Sequence, residues 1–134
     1  MTAIPGVDYD VVRRYAPNPG RRPLFTQISD QAQVALMCRM LFHEGWNEHI
    51  AGHITYRLAN GNMLTNPWEL AWDEVTASDI LTLDESGTII EGEWNTTPAL
   101  GLHVQLHKLR PDIHVVIHNH ARWSGIWADM HKVP

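Results

Sequence analysis

Two histidines stand two positions apart at the end of an apolar run, in the segment PDIHVVIHNH that covers residues 111–120. On a β-strand, side chains at i and i+2 share one face, with backbones about 6–7 Å apart. Two imidazoles at that spacing can reach one ion through bonds of about 2.0–2.1 Å. His118 and His120 can therefore bind one divalent metal, but the spacing alone does not decide that they do. The alternative is that they are polar residues where a buried strand meets solvent.

A second histidine pair, His103 and His107, lies one helical turn apart. A helical H-x-x-x-H pair can bind zinc, but this one lacks the glutamate of the metalloprotease motif H-E-x-x-H. The favoured interpretation is that both side chains make hydrogen bonds beneath the metal site. Metal ligation is the alternative.

The remaining elements must position these histidines. A first helix is predicted over 30–44, with Ser29 as N-cap and Gly45 at its end. Hairpins are predicted over 53–66, turning at Asn60-Gly61, and over 80–92, turning at 85–87. Between them, 76–79 predicts a capped helical turn.

A second helix is predicted to begin with Thr97 as N-cap and Pro98 as its first residue, and to end at 110–111. Its predicted buried stripe consists of Leu102, Leu106 and Leu109. The metal-binding strand is predicted over 113–120. A final helix is predicted from about Ala121, carrying Trp123, Ile126 and Trp127.

Length and composition indicate one domain with an irregular arm. The chain has 134 residues, and residues 1–25 hold four of its eight prolines. We therefore predict an arm over 1–25 and a domain over 26–134. Hairpins flanked by helices indicate an α/β fold with an antiparallel or mixed sheet.

Charge and hydropathy exclude several classes of partner. The net charge of −5 provides no basic field for nucleic acid. No apolar run reaches signal-peptide or membrane-spanning length, and the single cysteine, Cys38, excludes a disulfide framework. A cytoplasmic protein without nucleic-acid or membrane partners is predicted.

Three parts of residues 30–134, namely GWNEHIAGHITYR, the middle hairpins and LHVQLHKLRPDIHVVIHNH, together resemble the class II aldolase/adducin family. The segment GWNEHIAGHITYR resembles its glycine loop and first strand, and the middle hairpins end in the signature G-x-x-x-E-G. LHVQLHKLRPDIHVVIHNH resembles its helix, R-P-D turn and metal-binding strand. The resemblance implies a three-layer αβα sandwich around a mostly antiparallel sheet, and homo-oligomers that are often tetramers.

The resemblance also implies a divalent metal held by three histidines, of which His118 and His120 match the first two. Zn²⁺ is the expected ion, with Fe²⁺ and Mn²⁺ as alternatives. The third family histidine lies beyond the position of Pro134. The chain is therefore expected to be a family domain that is incomplete at its C-terminus, with the third ligand beyond Pro134 and His131 as the alternative.

The chain departs from the sugar-phosphate aldolases of this family at three places. Ala99 stands at the position of their acid/base glutamate, and alanine cannot transfer a proton. His53 replaces an asparagine of the glycine loop, and Trp68 stands in the phosphate loop. The substrate-binding residues are predicted to be Asn66, Trp68 and Thr97. His53 is the candidate acid/base residue, and the alternative is that it bonds a backbone carbonyl.

Three functions follow from this comparison. The favoured one is a metal-dependent lyase, similar to an aldolase, that acts on a small carbonyl compound other than a simple sugar phosphate. A non-haem Fe(II) oxygenase of the same family with an aromatic substrate is the second. The third is a non-catalytic interaction module like the adducin head, which the loss of the glutamate favours.

Overall fold

The structure is a computed structural model that describes residues 27–46 and 52–131. The predicted arm over 1–25 lies outside the described residues. The helices are α1 (Asp30–His43), α2 (Leu100–Leu109) and α3 (Arg122–Asp129). The strands are β1 (His53–Arg57), β2 (Met63–Thr65), β3 (Leu81–Leu83), β4 (Ile89–Glu91) and β5 (Val115–His118), with a short 3₁₀ helix at Ala77–Asp79.

The five strands form one sheet in the order β4-β3-β2-β1-β5, and every neighbouring pair is antiparallel. The first four strands form the two predicted hairpins. Gly61 and Gly87 turn them with φ of +92° and +91°, a backbone region open to glycine. The last strand returns after α2 and pairs with β1, so the beginning of β1 meets the end of β5.

Helix α1 covers one face of the sheet. The Ser29 hydroxyl accepts from the Ala32 amide, as predicted for an N-cap, and Gly45 follows the helix with φ +74°. Its apolar side packs on Ile54 and Leu64. This core comprises Val34, Ala35, Cys38, Ile54, Leu64, Trp72, Val75 and Ile80.

Helix α2 covers the opposite face, which completes the predicted three-layer αβα sandwich. Its Leu100 and Val104 pack on Met63, Leu81 and Leu83. The predicted N-cap is wrong by two residues, because the cap is Ala99 and the helix begins at Leu100.

The predicted leucine stripe of α2 is wrong at two of its three positions, since only Leu106 is partly buried. Leu102 is 58% exposed and Leu109 is 75% exposed, whereas His103 and His107 are buried beside Leu100 and Val104. The helix buries a different face from the predicted one. The reason is that the buried Thr55 hydroxyl on the sheet provides hydrogen bonds for the imidazoles of His103 and His107. Such bonds remove most of the cost of burying polar groups.

Helix α3 begins close to the predicted position and has no buried residue. Trp123 is 70% exposed, and Ile126, Trp127 and Met130 are exposed beside it. Across 27–46 and 52–131, no helix combines the length and apolar character needed to cross a bilayer.

Candidate metal and catalytic site

The sheet register places His53 directly opposite His118, at the start of β1 and the end of β5. Their side chains point to the α2 face, and their ring centroids are 5.0 Å apart. On that face His103 of α2 lies over His53, with ring centroids 4.1 Å apart. Three elements that are distant in sequence thus bring imidazoles to one end of the sheet.

His120 joins this group from outside the strand. The strand ends at His118, two residues earlier than predicted, so the chain can turn and bring the two rings together. Nε2 of His118 and Nε2 of His120 are 2.9 Å apart. The distance also fits a hydrogen bond, in which one of the two nitrogens would carry a proton.

The same 2.9 Å separation fits a shared ion. With metal–nitrogen bonds of about 2.0–2.1 Å, it corresponds to an angle of about 90° at the metal. A tetrahedral Zn²⁺ needs the nitrogens about 0.4 Å further apart, which a small ring rotation supplies. The donor set is two imidazoles, which suit Zn²⁺ and Fe²⁺.

A third ligand is not placed by the part of the chain that the structure describes. In 27–46 and 52–131, no three His, Cys, Asp or Glu side chains converge in the geometry of a metal site. His131, the substitute suggested by the sequence, is exposed and follows α3 with φ 52°. The described residues therefore fit two ligands of a metal site.

His53 is buried without hydrogen bonds. It is 2% exposed, and neither Nδ1 nor Nε2 finds a partner among the described residues. The predicted alternative, a bond to a backbone carbonyl, is not formed there. Burial, followed by the charges of His118 and His120, lowers the pKa of His53 to about 4. The ring is thus neutral at pH 7 and has a free lone pair.

His103 and His107 make the hydrogen bonds expected beneath the site. Both bond the hydroxyl of Thr55, at 2.9 Å from His103 Nδ1 and 2.8 Å from His107 Nε2. Burial, then the charges of neighbouring histidines, lowers the pKa of His103 to about 3. Sequence reasoning missed Thr55, because only the register of β1 under α2 identifies it.

A buried set of hydrogen bonds holds Gly52, the residue immediately before His53. The Asn66 side chain accepts from the Ile54 amide at 2.8 Å and donates to the Gly52 carbonyl at 3.4 Å. The Trp72 indole donates to the same carbonyl at 3.1 Å. Asn66 therefore holds the backbone beside the candidate site, and its predicted contact with substrate stays a prediction.

Trp68 and Thr97 lie on neighbouring loops at the same end of the sheet. The Trp68 amide donates to the Asn95 carbonyl, which is two residues before Thr97. Trp68 is 41% exposed, and the Thr97 hydroxyl accepts from the Ala99 amide at 3.3 Å. Their roles in substrate binding also stay predictions.

The chain matches known proteins along most of its length. It is 34% identical over 103 residues to a 3,4-dihydroxyphthalate decarboxylase from Arthrobacter keyseri, with 71% of this chain and 42% of that protein covered. It is 30% identical over 109 residues to an adducin-related protein from Schizosaccharomyces pombe, with 74% and 34% covered. The chain thus spans less than half the length of these two relatives.

Solved structures share the fold. An L-fuculose 1-phosphate aldolase from Glaciozyma antarctica PI12 has a TM-score of 0.72 at 23% identity, over 84% of this chain and 50% of that one. An aldolase II superfamily protein from Pseudomonas syringae has a TM-score of 0.62 at 28% identity, over 72% and 42%. The family model for the class II aldolase and adducin N-terminal domain matches residues 32–134. The chain therefore belongs to the class II aldolase and adducin family.

Proposed function

We propose that this chain carries the metal-binding part of a carbon–carbon lyase that acts on a small carbonyl-containing substrate. The observation that carries the proposal is the convergence of the His118 and His120 ring nitrogens to 2.9 Å, beside the unpartnered ring of His53. A buried imidazole without partners is costly, so a ligand that satisfies it is favoured. The expected ion is Zn²⁺, with Fe²⁺ and Mn²⁺ as alternatives.

A divalent ion on His118 and His120 would polarise a carbonyl oxygen and stabilise negative charge developing there. The side chains around the ion would supply proton transfer and support for the site. His53 is neutral at pH 7 and lies in ring contact with His118, so it is our candidate to move a proton at the site. Asn66 and Trp72 hold the carbonyl of Gly52, the residue immediately before His53.

The substrate is proposed to be other than a simple sugar phosphate. Ala99 provides no carboxylate at the N-terminus of α2, and Trp68 offers an exposed indole where a phosphate loop needs small polar groups. An indole is suited to contact an aromatic ring. The relative that acts as a 3,4-dihydroxyphthalate decarboxylase supports a hydroxylated aromatic acid as the class to test first.

A homo-oligomer is the proposed assembly, and a tetramer is the first size to test. Trp123 and Trp127 are exposed on α3, and exposed apolar side chains of this size are typical of protein interfaces. Analytical ultracentrifugation tests this point. A Trp127→Ser variant should shift the species distribution towards the monomer.

A metal-dependent decarboxylation assay tests the proposed activity. The full chain would be stripped with chelator, reloaded with Zn²⁺, Fe²⁺ or Mn²⁺, and assayed for carbon dioxide release from 3,4-dihydroxyphthalate. Turnover that requires metal and is lost in His118→Ala supports the proposal, with His114→Ala as the matched control on the same segment. Oxygen uptake with Fe²⁺ would instead indicate the oxygenase.

The adducin-related relative and the missing glutamate favour a second function, a non-catalytic interaction module. It predicts a folded chain that holds metal weakly and turns over no substrate. A chain that shows no turnover and keeps its melting temperature when Zn²⁺ is added would favour the module over the enzyme.

A further inference from the structure

An open cavity of about 420 Å³ lies at the other end of the sheet from the histidine cluster, and Arg57 lines it. Side chains at alternate positions of β1 share the face under α2, so His53, Thr55 and Arg57 follow one another along it. Four residues at about 3.3 Å each place Arg57 roughly 13 Å along the strand from His53. The cavity is therefore separate from the candidate metal site, and its volume is typical of small-molecule sites.

The half-buried guanidinium of Arg57 caps the C-terminal end of α2. Nη1 and Nη2 donate to the His107 carbonyl at 3.3 and 3.1 Å, and Nη1 also donates to the Pro111 carbonyl at 3.4 Å. The His107 carbonyl needs such a donor because Pro111, four residues later, has no N–H to complete the helical bond. These bonds hold the guanidinium in one place.

The three bonds to carbonyls leave one edge of this guanidinium without a partner. A guanidinium has five N–H donors in a planar fork. The bonds use both N–H groups of Nη1 and one of Nη2. Nε–H and the second N–H of Nη2 share the other edge, and the one ion pair within 27–46 and 52–131 joins Arg110 to Asp112. An edge of this kind binds a carboxylate or phosphate group through two parallel hydrogen bonds.

The other side chains that line the cavity suit an organic anion. Lys108 contributes a second positive charge from α2, and Glu85 contributes one negative charge from the turn of the second hairpin. With histidine counted as neutral, two positive charges and one negative charge give a net charge of +1, in a chain whose net charge is −5. Met63 and Val104 add apolar surface to the wall. The lining thus combines cationic donors with a surface for an apolar group.

We propose that this cavity is a second binding site, which takes the carboxylate or phosphate group of a small organic anion on the Nε–Nη2 edge of Arg57. Lys108 adds a point charge, and the apolar part of the ligand lies against Met63 and Val104. Because the carbonyls of α2 already hold Arg57, its side chain loses little conformational freedom when the anion binds. The inference is independent of the proposed lyase function, since it uses no residue of the candidate metal site.

Nitrogen-15 NMR of the full chain, kept metal-free with chelator, tests the site with benzoate and inorganic phosphate as probes. Each probe is titrated into the millimolar range, and sodium chloride at equal ionic strength is the blank, because salt alone screens surface charges. We expect the Nε–H signal of Arg57 to shift saturably with at least one probe, and the tighter probe identifies the head group. The absence of a saturable shift at Arg57 with both probes would overturn the proposal.

Substitutions of the two cations test their roles. Arg57→Lys keeps the charge but loses the planar fork, so it should raise the dissociation constant of the anion by about 10-fold or more. Lys108→Gln removes an exposed charge and leaves the helix cap intact, and it should raise the constant by about 5-fold. Arg39→Gln, at an exposed position of α1 on the opposite face of the sheet, is the control and should leave it unchanged. If Arg57→Lys does not fold, Lys108→Gln still decides, because wild-type affinity in that variant would contradict the proposal.

One further variant separates this cavity from the histidine cluster. His118→Ala/His120→Ala should bind the anion with wild-type affinity and should show the same shift at Arg57. Loss of anion binding in this double variant would place the anion at the histidine cluster and would overturn the proposal. Metal retention and turnover test the proposed function separately, so either conclusion can fail while the other holds.

Discussion

The metal-free protein should lose stability on acidification at pH values well above those at which carboxylates titrate. His53 and His103 are almost fully buried, and their pKa values fall from 6.5 to about 4 and about 3, first because of burial. Below pH 6.5 these two rings bind protons in the unfolded chain, whereas in the folded chain they stay neutral until the pH approaches their lowered pKa values. Stability is therefore complete above pH 6.5 and is lost as pH falls towards the folded pKa values.

The size of this loss of stability follows from the lowered pKa values of the two rings. Each ring costs about 1.4 kcal/mol per pH unit below 6.5, so at pH 5 each contributes roughly 2 kcal/mol and the two together roughly 4 kcal/mol. That is a large fraction of the roughly 5–15 kcal/mol typical of domains. Urea unfolding between about pH 7.5 and pH 5, with chelator present, measures it.

A His53→Phe variant should lose about half of this pH dependence, because one of the two rings is gone. His43→Asn, at the exposed end of α1, is the control and should keep the wild-type curve. A wild-type stability that is flat between pH 7.5 and pH 5 would refute the reasoning. The reasoning would also be refuted if the unfolding free energy of His53→Phe changed with pH as steeply as that of the wild type.

Four substitutions test the support of the site and the corrected face of α2. Asn66→Ala should cost about 1–3 kcal/mol in urea unfolding, because it leaves a buried amide of β1 unpaired. Gly52→Ala should cost a similar amount, since an added Cβ would lie 2.5 Å from a tryptophan ring carbon and 3.1 Å from a backbone oxygen. Val104→Ala should cost about 1–3 kcal/mol, whereas Leu102→Ala should stay within about 0.5 kcal/mol. Equal effects at Val104 and Leu102 would contradict the observed orientation of the helix.

Local signals in the sequence were enough to predict most elements. Ser29 and Gly45 delimit α1 because a cap and a left-handed glycine act within one turn. Gly61 and Gly87 fix both hairpins for the same reason. The two-residue spacing of His118 and His120 made them candidates for one site, but their rings meet because the strand ends at His118 and the chain turns there.

The interior of the site could not be predicted in this way. The prediction for α2 assumed that leucines are buried in preference to histidines. That assumption failed because Thr55, on a strand distant in sequence, provides partners for His103 and His107. The contact of His53 with His118 also depends on the pairing of β1 with β5, which no local pattern encodes.

The central claim is that His118 and His120 hold one divalent ion. The most direct test is the metal content of the chain. The protein would be purified without added metal and equilibrated with Zn²⁺, and the bound metal would be measured by inductively coupled plasma mass spectrometry. The wild type and a His114→Ala control should each retain about one ion per chain, and His118→Ala/His120→Ala should retain none. Equal metal content in the wild type and the double variant would contradict the account.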